Sequence, residues 1–282
     1  MKPLPCVPAR KKARLFEALK RHGRVLVAFS GGKDSFFLAR AAAAALGEGN
    51  VVACHVETPF SGAGARARVK YFRKMLPVPV RGLRLELPPG SGLRRNPRDR
   101  CYACKRLMFR ALKQEATRLG IATVMDGSTR SDAAEHRPGR RALQEMAVAS
   151  PLSEAGITSA EIAGELAGAG IEELYLTSST CLATRFPYGQ RLDAQQVRAI
   201  GQVEHYLALK GVFPLRVRYI PDGVRVEADA ALIPRILAMK DELLKFCRRR
   251  GLGFVTLDLG GLQSGPWDKS PENSRRKKRP SA

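Results

Sequence analysis

Six consecutive residues, Ser30-Gly31-Gly32-Lys33-Asp34-Ser35, lie between an apolar run and a helical run and have the composition of a phosphate cradle. Glycines let a backbone close on phosphate oxygens, free N–H groups at a helix start point at the anion, and the helix dipole favours negative charge. Ser30 and Ser35 add hydroxyls, and Lys33 adds a cation. Asp34 is the odd member, because a carboxylate repels phosphate. It suits a role in holding Mg²⁺ or in fixing the loop. Spacing excludes two other nucleotide loops. A Walker A loop needs an earlier glycine and a Ser or Thr after the lysine, and a dinucleotide fingerprint needs three spaced glycines. A plain N-cap turn is the bland alternative.

The second reactive set is sulfur. The six cysteines are Cys6, Cys54, Cys101, Cys104, Cys181 and Cys247. Cys101 and Cys104 form a Cys-x-x-Cys pair near a helix start, with Arg98, Arg100, Lys105 and Arg106 around them. Cations and a helix N-terminus lower a thiol pKa, which favours thiolates there. Cys181 opens the stretch CLATRFPYG, and Arg185, four residues on, can act on it similarly. Zinc, redox work and chance all remain open for the pair. Zinc wants four N or S ligands, and His22, His55, His136 and His205 show no zinc spacing. Three thiolates are one short of a cubane's four irons, which leaves one iron for hydrosulfide or a substrate atom.

Further polar candidates sit on elements. Arg216 and Arg218 alternate along a strand, so both face one side, as suits a substrate phosphate or carboxylate. A solvated hairpin face is the other reading. Asp126-Gly127-Ser128 follows a strand, at the end where open α/β sheets bind ligands, although an ordinary turn has the same composition. Arg137-Pro138-Gly139 either clamps phosphate or turns the chain.

The elements that must position these groups alternate. Strand patterns at Arg24–Phe29, Val51–Val56, Val78–Leu87 and Ile121–Met125 are interleaved with helical ones at Phe36–Leu46, Ala63–Met75 and Cys101–Leu119. This rhythm predicts an α/β fold with a doubly wound parallel sheet. Residues 126–189 read as a long irregular zone with two short helices, one opened by a capping box at Thr158, and with a functional loop at LTSSTCLATRFPYGQ. A second pattern then begins. A helix is expected over Asp193–Lys210, and a hairpin over Leu215–Ala228 turning at Pro221-Asp222-Gly223. A helix over Ala231–Arg249 and a strand over Gly253–Leu259 complete it. The expected organisation is a basic tail at 1–11, the nucleotide domain at 12–189, a small α/β domain at 190–262 and a basic, disordered tail at 263–282.

With 282 residues and 44% hydrophobic content, the chain can bury a sizeable core. No apolar run is long enough to span a bilayer, and the N-terminus lacks the apolar centre of a secretion signal. The expectation is a cytoplasmic protein with no membrane partner and no disulfide framework. A net charge of +23, from 49 basic and 26 acidic residues, suits polyanionic partners. Composition bias and solvated tails give the same excess. The lack of an aromatic-rich basic motif weakens a dedicated RNA-binding module.

SGGKDS between a strand and a helix resembles the PP-loop of the ATP pyrophosphatases, an adenine nucleotide alpha hydrolase-like, Rossmann-like superfamily. The resemblance implies cleavage of ATP between its α- and β-phosphates, with a substrate oxygen adenylated. Further blocks in order resemble the LarE family of ATP-dependent sulfur transferases. They are RCYACK, DGSTRSDAAEHRPGRRALQE (Asp126–Glu145), SPLSEAGIT (Ser150–Thr158), CLATRFPYG (Cys181–Gly189), the Glu204 helix, Arg216–Arg218 and LDLGGLQSG (Leu257–Gly265). They cover residues from about 12 to 268.

That resemblance implies ATP and Mg²⁺ as cofactors and pyridinium-3,5-biscarboxylic acid mononucleotide as substrate, one carboxylate of which becomes a thiocarboxylate. ATP would lie on Ser30–Ser35 and Asp126–Ser128, with Asp34 on magnesium. Arg185, Glu204, Arg216 and Arg218 would bind the substrate. In single-cysteine members the residue at the position of Cys181 attacks the acyl adenylate and gives up its sulfur, leaving dehydroalanine. In members with cysteines at the positions of Cys101, Cys104 and Cys181, the three hold a 4Fe-4S cluster, and this sequence has all three. Relatives imply a homo-oligomer. The sequence departs from the family at Lys33, where Val is frequent, at Thr129, where Asn is frequent, and in SGPWDK near the C-terminus. The main alternative is a tRNA thiolation enzyme of the same superfamily. A non-catalytic iron–sulfur or nucleotide-binding protein is the other.

Overall fold

In β1 (Val25–Ala28), Val25 and Val27 enter one apolar cluster and Leu26 enters another. In β2 (Val51–Glu57), Val51 and Ala53 join the first cluster, while Val52, Cys54 and Val56 join the second. Side chains that alternate into two cores belong to a sheet covered on both faces. The computed structural model describes residues 5–88, 90–133, 138–172 and 180–262. By internal contacts these form two units, one from residues 1–61, 65–93 and 99–179, the other from 62–64, 94–98 and 180–282.

The first unit holds a four-stranded, all-parallel sheet in the order β3-β2-β1-β4, with β3 at Val80–Arg84 and β4 at Thr123–Met125. One face is covered by α1 (Ala9–Lys20), α2 (Lys33–Leu46), α3 (Ala63–Arg73), α7 (Pro151–Glu154) and α8 (Ser159–Gly168), through Leu15, Phe36, Phe72, Leu152 and Ile162 among others. The other face is covered by α4 (Arg100–Arg118) and α6 (Pro138–Glu145), through Phe109, Leu112 and Leu143. From β1 the chain returns through α2 to β2 on one side, and β4 lies on the other side of β1. The C-terminal ends of β1 and β4 therefore flank the point where strand order reverses, the usual ligand crevice of such sheets.

The second unit has α9 (Ala194–Leu209) and a three-stranded sheet in the order β5-β6-β7. β5 (Leu215–Ile220) and β6 (Gly223–Ala228) are antiparallel, and β7 (Phe254–Leu257) runs parallel to β6. Asp222 takes the positive φ, 56°, that the hairpin turn requires.

Several expectations shift. α1 begins at Ala9, inside the stretch read as a tail. The strand expected over Val78–Leu87 is paired only from Val80 to Arg84. The zone expected to hold two short helices has four among the described residues: α5 (Arg130–Ala133), α6, α7 and α8. The helix expected over Ala231–Arg249 splits into α10 (Ile233–Ala238) and α11 (Lys240–Arg248), because Met239, at φ −108° and ψ 19°, leaves helical geometry. The tail from residue 263, the Glu135–Arg137 segment and the start of LTSSTCLATRFPYGQ lie outside the described residues. Among the described residues no helix is long and apolar enough to cross a membrane.

Candidate nucleotide loop and thiol-bearing segments

The six residues of the cradle connect β1 to α2. Gly31 has φ +77°, and a Cβ there would stand 2.5 Å from Val69 Cγ2 of α3, so the turn admits glycine for both reasons. The loop is braced from inside. Ser30 N–H donates to Ser35 Oγ at 3.2 Å, Gly32 N–H donates to Ser30 Oγ at 3.3 Å, and Ser35 Oγ donates to the Gly32 carbonyl at 2.9 Å. No side chain caps the start of α2. Its first N–H groups are of the kind that bind an anion at a helix N-terminus.

Asp126, Gly127 and Ser128 arrive from the end of β4 and support the same loop. Gly127 packs on the backbone of Ser35. Asp126 faces inward, accepting from Ser150 Oγ at 2.6 Å and from Ser128 Oγ. Asp126 therefore fixes two strand-end segments to each other, while Gly127 sets their distance from the cradle.

Lys33 is 8% exposed, the first residue of α2. Its Nζ donates to Ser159 Oγ at 2.5 Å and lies 3.3 Å from Asp34 Oδ1. Burial raises the Asp34 carboxyl above its ordinary value, against the lowering pull of Lys33 and of the Ser159 hydroxyl. A buried carboxylate whose charge is disfavoured gains from a cation beside it, and this donor suits Mg²⁺ at a phosphate. The tight turn at Gly31, the uncapped helix start and the lysine likewise suit an adenine nucleotide's phosphates.

Sequence reasoning missed Ser159, which lies one residue past the block ending at Thr158. The capping box read at Thr158 does form, with Glu161 accepting from Thr158 N–H at 2.8 Å, and it presents Ser159 as the first residue of α8.

Cys101 lies in the first turn of α4 and Cys104 at the start of the second, the former exposed and the latter half-buried. Tyr102 between them is held by α6. Its hydroxyl donates to Glu145 at 2.6 Å, and Arg141 Cζ lies 5.1 Å from the ring centroid. Gly139, in the first turn of α6, packs on Lys105, whose Cδ would meet a Cβ there at 2.8 Å; Arg137 lies outside the described residues.

Cys181 belongs to the second unit, where it is exposed just before a 3₁₀ turn at Leu182–Arg185. The CLATRFPYG stretch is anchored more firmly than its composition suggests. Leu182, Ala183, Arg185 and Phe186 are buried, and Phe186 stacks on Tyr219 with centroids 5.1 Å apart. The buried Asn96, at φ 51°, donates to the Phe186 and Pro187 carbonyls at 3.2 and 2.7 Å.

Arg185, fully buried, forms a two-point pair with Glu204 of α9, at 2.7 and 2.6 Å, and donates to Thr180 and Thr184. Burial would raise the Glu204 carboxyl, but the adjacent guanidinium and the Val217 N–H bring it below its ordinary value. Arg218 is spent on Glu227, at 3.0 Å, and on the Thr184 carbonyl. Arg216 differs. Among the described residues it makes no carboxylate ion pair, and its Nη1 donates to the Leu215 carbonyl at 2.9 Å. Burial and the neighbouring Arg185 push it down to about 10, so it is still protonated at neutral pH. Of the four side chains expected to bind substrate, Arg185, Glu204 and Arg218 neutralise charge inside the unit, and Arg216 is the cation left over.

Among the described residues no group of three or more His, Cys, Asp or Glu is gathered to hold a metal ion. The thiols expected to share a cluster divide between the units, Cys101 and Cys104 on one and Cys181 on the other. As donors the accessible Cys101 and Cys181 suit iron by chemistry.

No family model matches the sequence. Curated proteins do. Over 257 residues the chain is 32% identical to a pyridinium-3,5-bisthiocarboxylic acid mononucleotide synthase of Lactiplantibacillus plantarum, covering 91% of this chain and 93% of that protein. The chain belongs to the LarE family. An uncharacterized protein of Synechocystis sp. is 31% identical, over 86% of this chain and 91% of its own length. A tRNA(Ile)-lysidine synthase of Bordetella bronchiseptica is 36% identical over 46% of this chain and 39% of its own length. Together with the parallel sheet and its glycine loop, these place this LarE-family chain among the PP-loop enzymes, with a loop for ATP.

Proposed function

We propose that this protein is an ATP-dependent sulfur transferase that acts on pyridinium-3,5-biscarboxylic acid mononucleotide. The reading rests on one observation, the 32% identity with the pyridinium-3,5-bisthiocarboxylic acid mononucleotide synthase over 93% of that protein's length. Two features of this chain support it: a braced phosphate loop with a buried lysine and a half-buried aspartate, and the exposed thiols of Cys101 and Cys181.

The chemistry follows from the groups. Backbone N–H groups at the α2 N-terminus receive phosphate oxygens, and Asp34 would hold magnesium, which would offset charge on the phosphates. A substrate carboxylate oxygen attacks the α-phosphorus and pyrophosphate leaves, giving an acyl adenylate. Cys181 then attacks the acyl carbon as thiolate, and AMP leaves. Loss of the Cys181 Hα to a base, with cleavage of its Cβ–S bond, gives the thiocarboxylate and dehydroalanine at 181. A 4Fe-4S cluster held by Cys101, Cys104 and Cys181 would supply a transferable sulfide, and Cys181 would then stay intact. Arg216 is the cation proposed for the substrate's phosphate or second carboxylate.

A single turnover with ATP and the pyridinium substrate, after anaerobic incubation with iron and sulfide, tests this reading. Pyrophosphate and thiocarboxylate should form together. Protein lighter by one H₂S marks sacrifice of Cys181, and unchanged mass with product marks delivery from a bound sulfide. Absence of pyrophosphate release removes the proposal.

A second reading, a PP-loop enzyme acting on tRNA, draws on the similarity to tRNA(Ile)-lysidine synthase and on the +23 charge. It requires tight tRNA binding that falls steeply with salt.

A further inference from the structure

The two charged side chains of the nucleotide loop are joined to a second helix. Lys33 Nζ donates to Ser159 Oγ, and Ser159 Oγ lies 3.1 Å from each Asp34 oxygen. The hydroxyl thus accepts from the ammonium and donates to the carboxylate. Lys33 Nζ is itself 3.3 Å from Asp34 Oδ1, so the three groups close a ring.

Ser159 is firmly held. It follows the Thr158–Glu161 capping box, and Glu161 also accepts from Lys11 of α1 at 2.7 and 2.9 Å. Its own N–H donates to Ser131 Oγ at 3.3 Å. A serine on a rigid helix start holds its partners in place better than one on a loop.

This ring satisfies internally the cation that a phosphate would use. A phosphate oxyanion competes with Asp34 for the Lys33 ammonium. Once that competition is won, Asp34 keeps one O–H donor against burial and a nearby anion. A divalent cation at Asp34 restores the balance of charge.

We infer that Ser159 is a positioning residue of the nucleotide loop, which pairs Lys33 with Asp34 and thereby couples polyphosphate binding to divalent-cation binding. The inference rests on the reading of SGGKDS as the ATP loop. Polyphosphate must draw Lys33 from the pair, and the cation takes its place at Asp34. Coupling of this kind is reciprocal, so ATP tightens the cation as much as the cation tightens ATP.

The test is titration of the full chain with ATP, in EDTA and in Mg²⁺, for the wild type, Ser159→Ala and Ser159→Thr. Removing the hydroxyl takes away one of the two groups that hold the Lys33 ammonium and leaves only the direct contact with Asp34, so Ser159→Ala should tighten metal-free ATP binding by about threefold to tenfold, the worth of roughly one net hydrogen bond. Affinity in Mg²⁺ should change less, so the ratio of the two Kd values shrinks. Ser159→Thr keeps the hydroxyl and should keep the wild-type ratio. Partial unfolding weakens both conditions by one factor and leaves the ratio unmoved. If Ser159→Ala gives that result, Ser159 only supports the fold and the inference falls. If the wild type binds ATP under neither condition, the ATP reading falls with it.

Discussion

Gly127 backs onto Ser35 so closely that a Cβ at 127 would stand 2.8 Å from the Ser35 nitrogen and 3.0 Å from its Cα. Both neighbours are backbone and cannot swing aside. Gly127→Ala should therefore push the start of α2 away from β4, at a cost of about 1–3 kcal/mol. The expected result is a lower Tm together with weaker ATP binding. Ala at Gly23, which meets nothing within 4 Å, should leave ATP binding unchanged.

The Arg185–Glu204 pair makes the second unit acid-sensitive. Glu204 has its carboxyl held below the ordinary 4.5, against the pull of burial, by Arg185. A carboxylate depressed in the folded state adds stability above its unfolded value, and that stability is lost as pH falls through the folded value. Thermal melts should show Tm dropping below about pH 4.5. Glu204→Gln should flatten that acid limb and lower Tm at neutral pH.

Arg185→Ala should destabilise by about 2–4 kcal/mol, because it strands the half-buried Glu204 carboxylate without its partner. A double replacement, Arg185→Leu with Glu204→Leu, should cost less than the single change. A double-mutant cycle by urea unfolding measures the difference.

Arg216→Ala should leave stability nearly unchanged or slightly raised, since it removes a cation that has no carboxylate partner among the described residues. Substrate affinity should fall by about tenfold to a hundredfold, the worth of a hydrogen-bonded charge. Arg218→Ala should instead lower Tm, because Glu227, 1% exposed, loses its main partner. Opposite effects of two arginines on one strand are the signature to seek in parallel melts and titrations.

Cys181→Ala should abolish thiocarboxylate formation by the sacrificial route while sparing ATP–pyrophosphate exchange driven by the substrate, because the loop that binds ATP carries no thiol. Mass spectrometry of the protein after turnover and isotope exchange separate the two steps. Loss of exchange as well would tie Cys181 to nucleotide binding.

The sheet was legible in the sequence because short, nearly continuous apolar runs interleaved with helical patterns mark strands covered on both faces, and the fold then divides each run between two cores. Val25 and Val27 against Leu26, and Val51 and Ala53 against Val52, divide the strands between two cores. The SGGKDS turn, the Thr158 capping box and the Asp222 turn were legible too, since each depends on a few adjacent residues. Tertiary structure decided the partners of the charged groups. Lys33 meets a serine 126 positions away, and Glu227, in register with Arg216, pairs diagonally with Arg218. Those choices depend on which buried charges approach within about 3 Å once the chain has packed, where desolvation makes every unpaired charge costly. Local periodicity carries no record of that approach, so residue types named the chemistry while the fold paired Arg185 with Glu204 and Arg218 with Glu227 and left Arg216 with no carboxylate ion pair among the described residues.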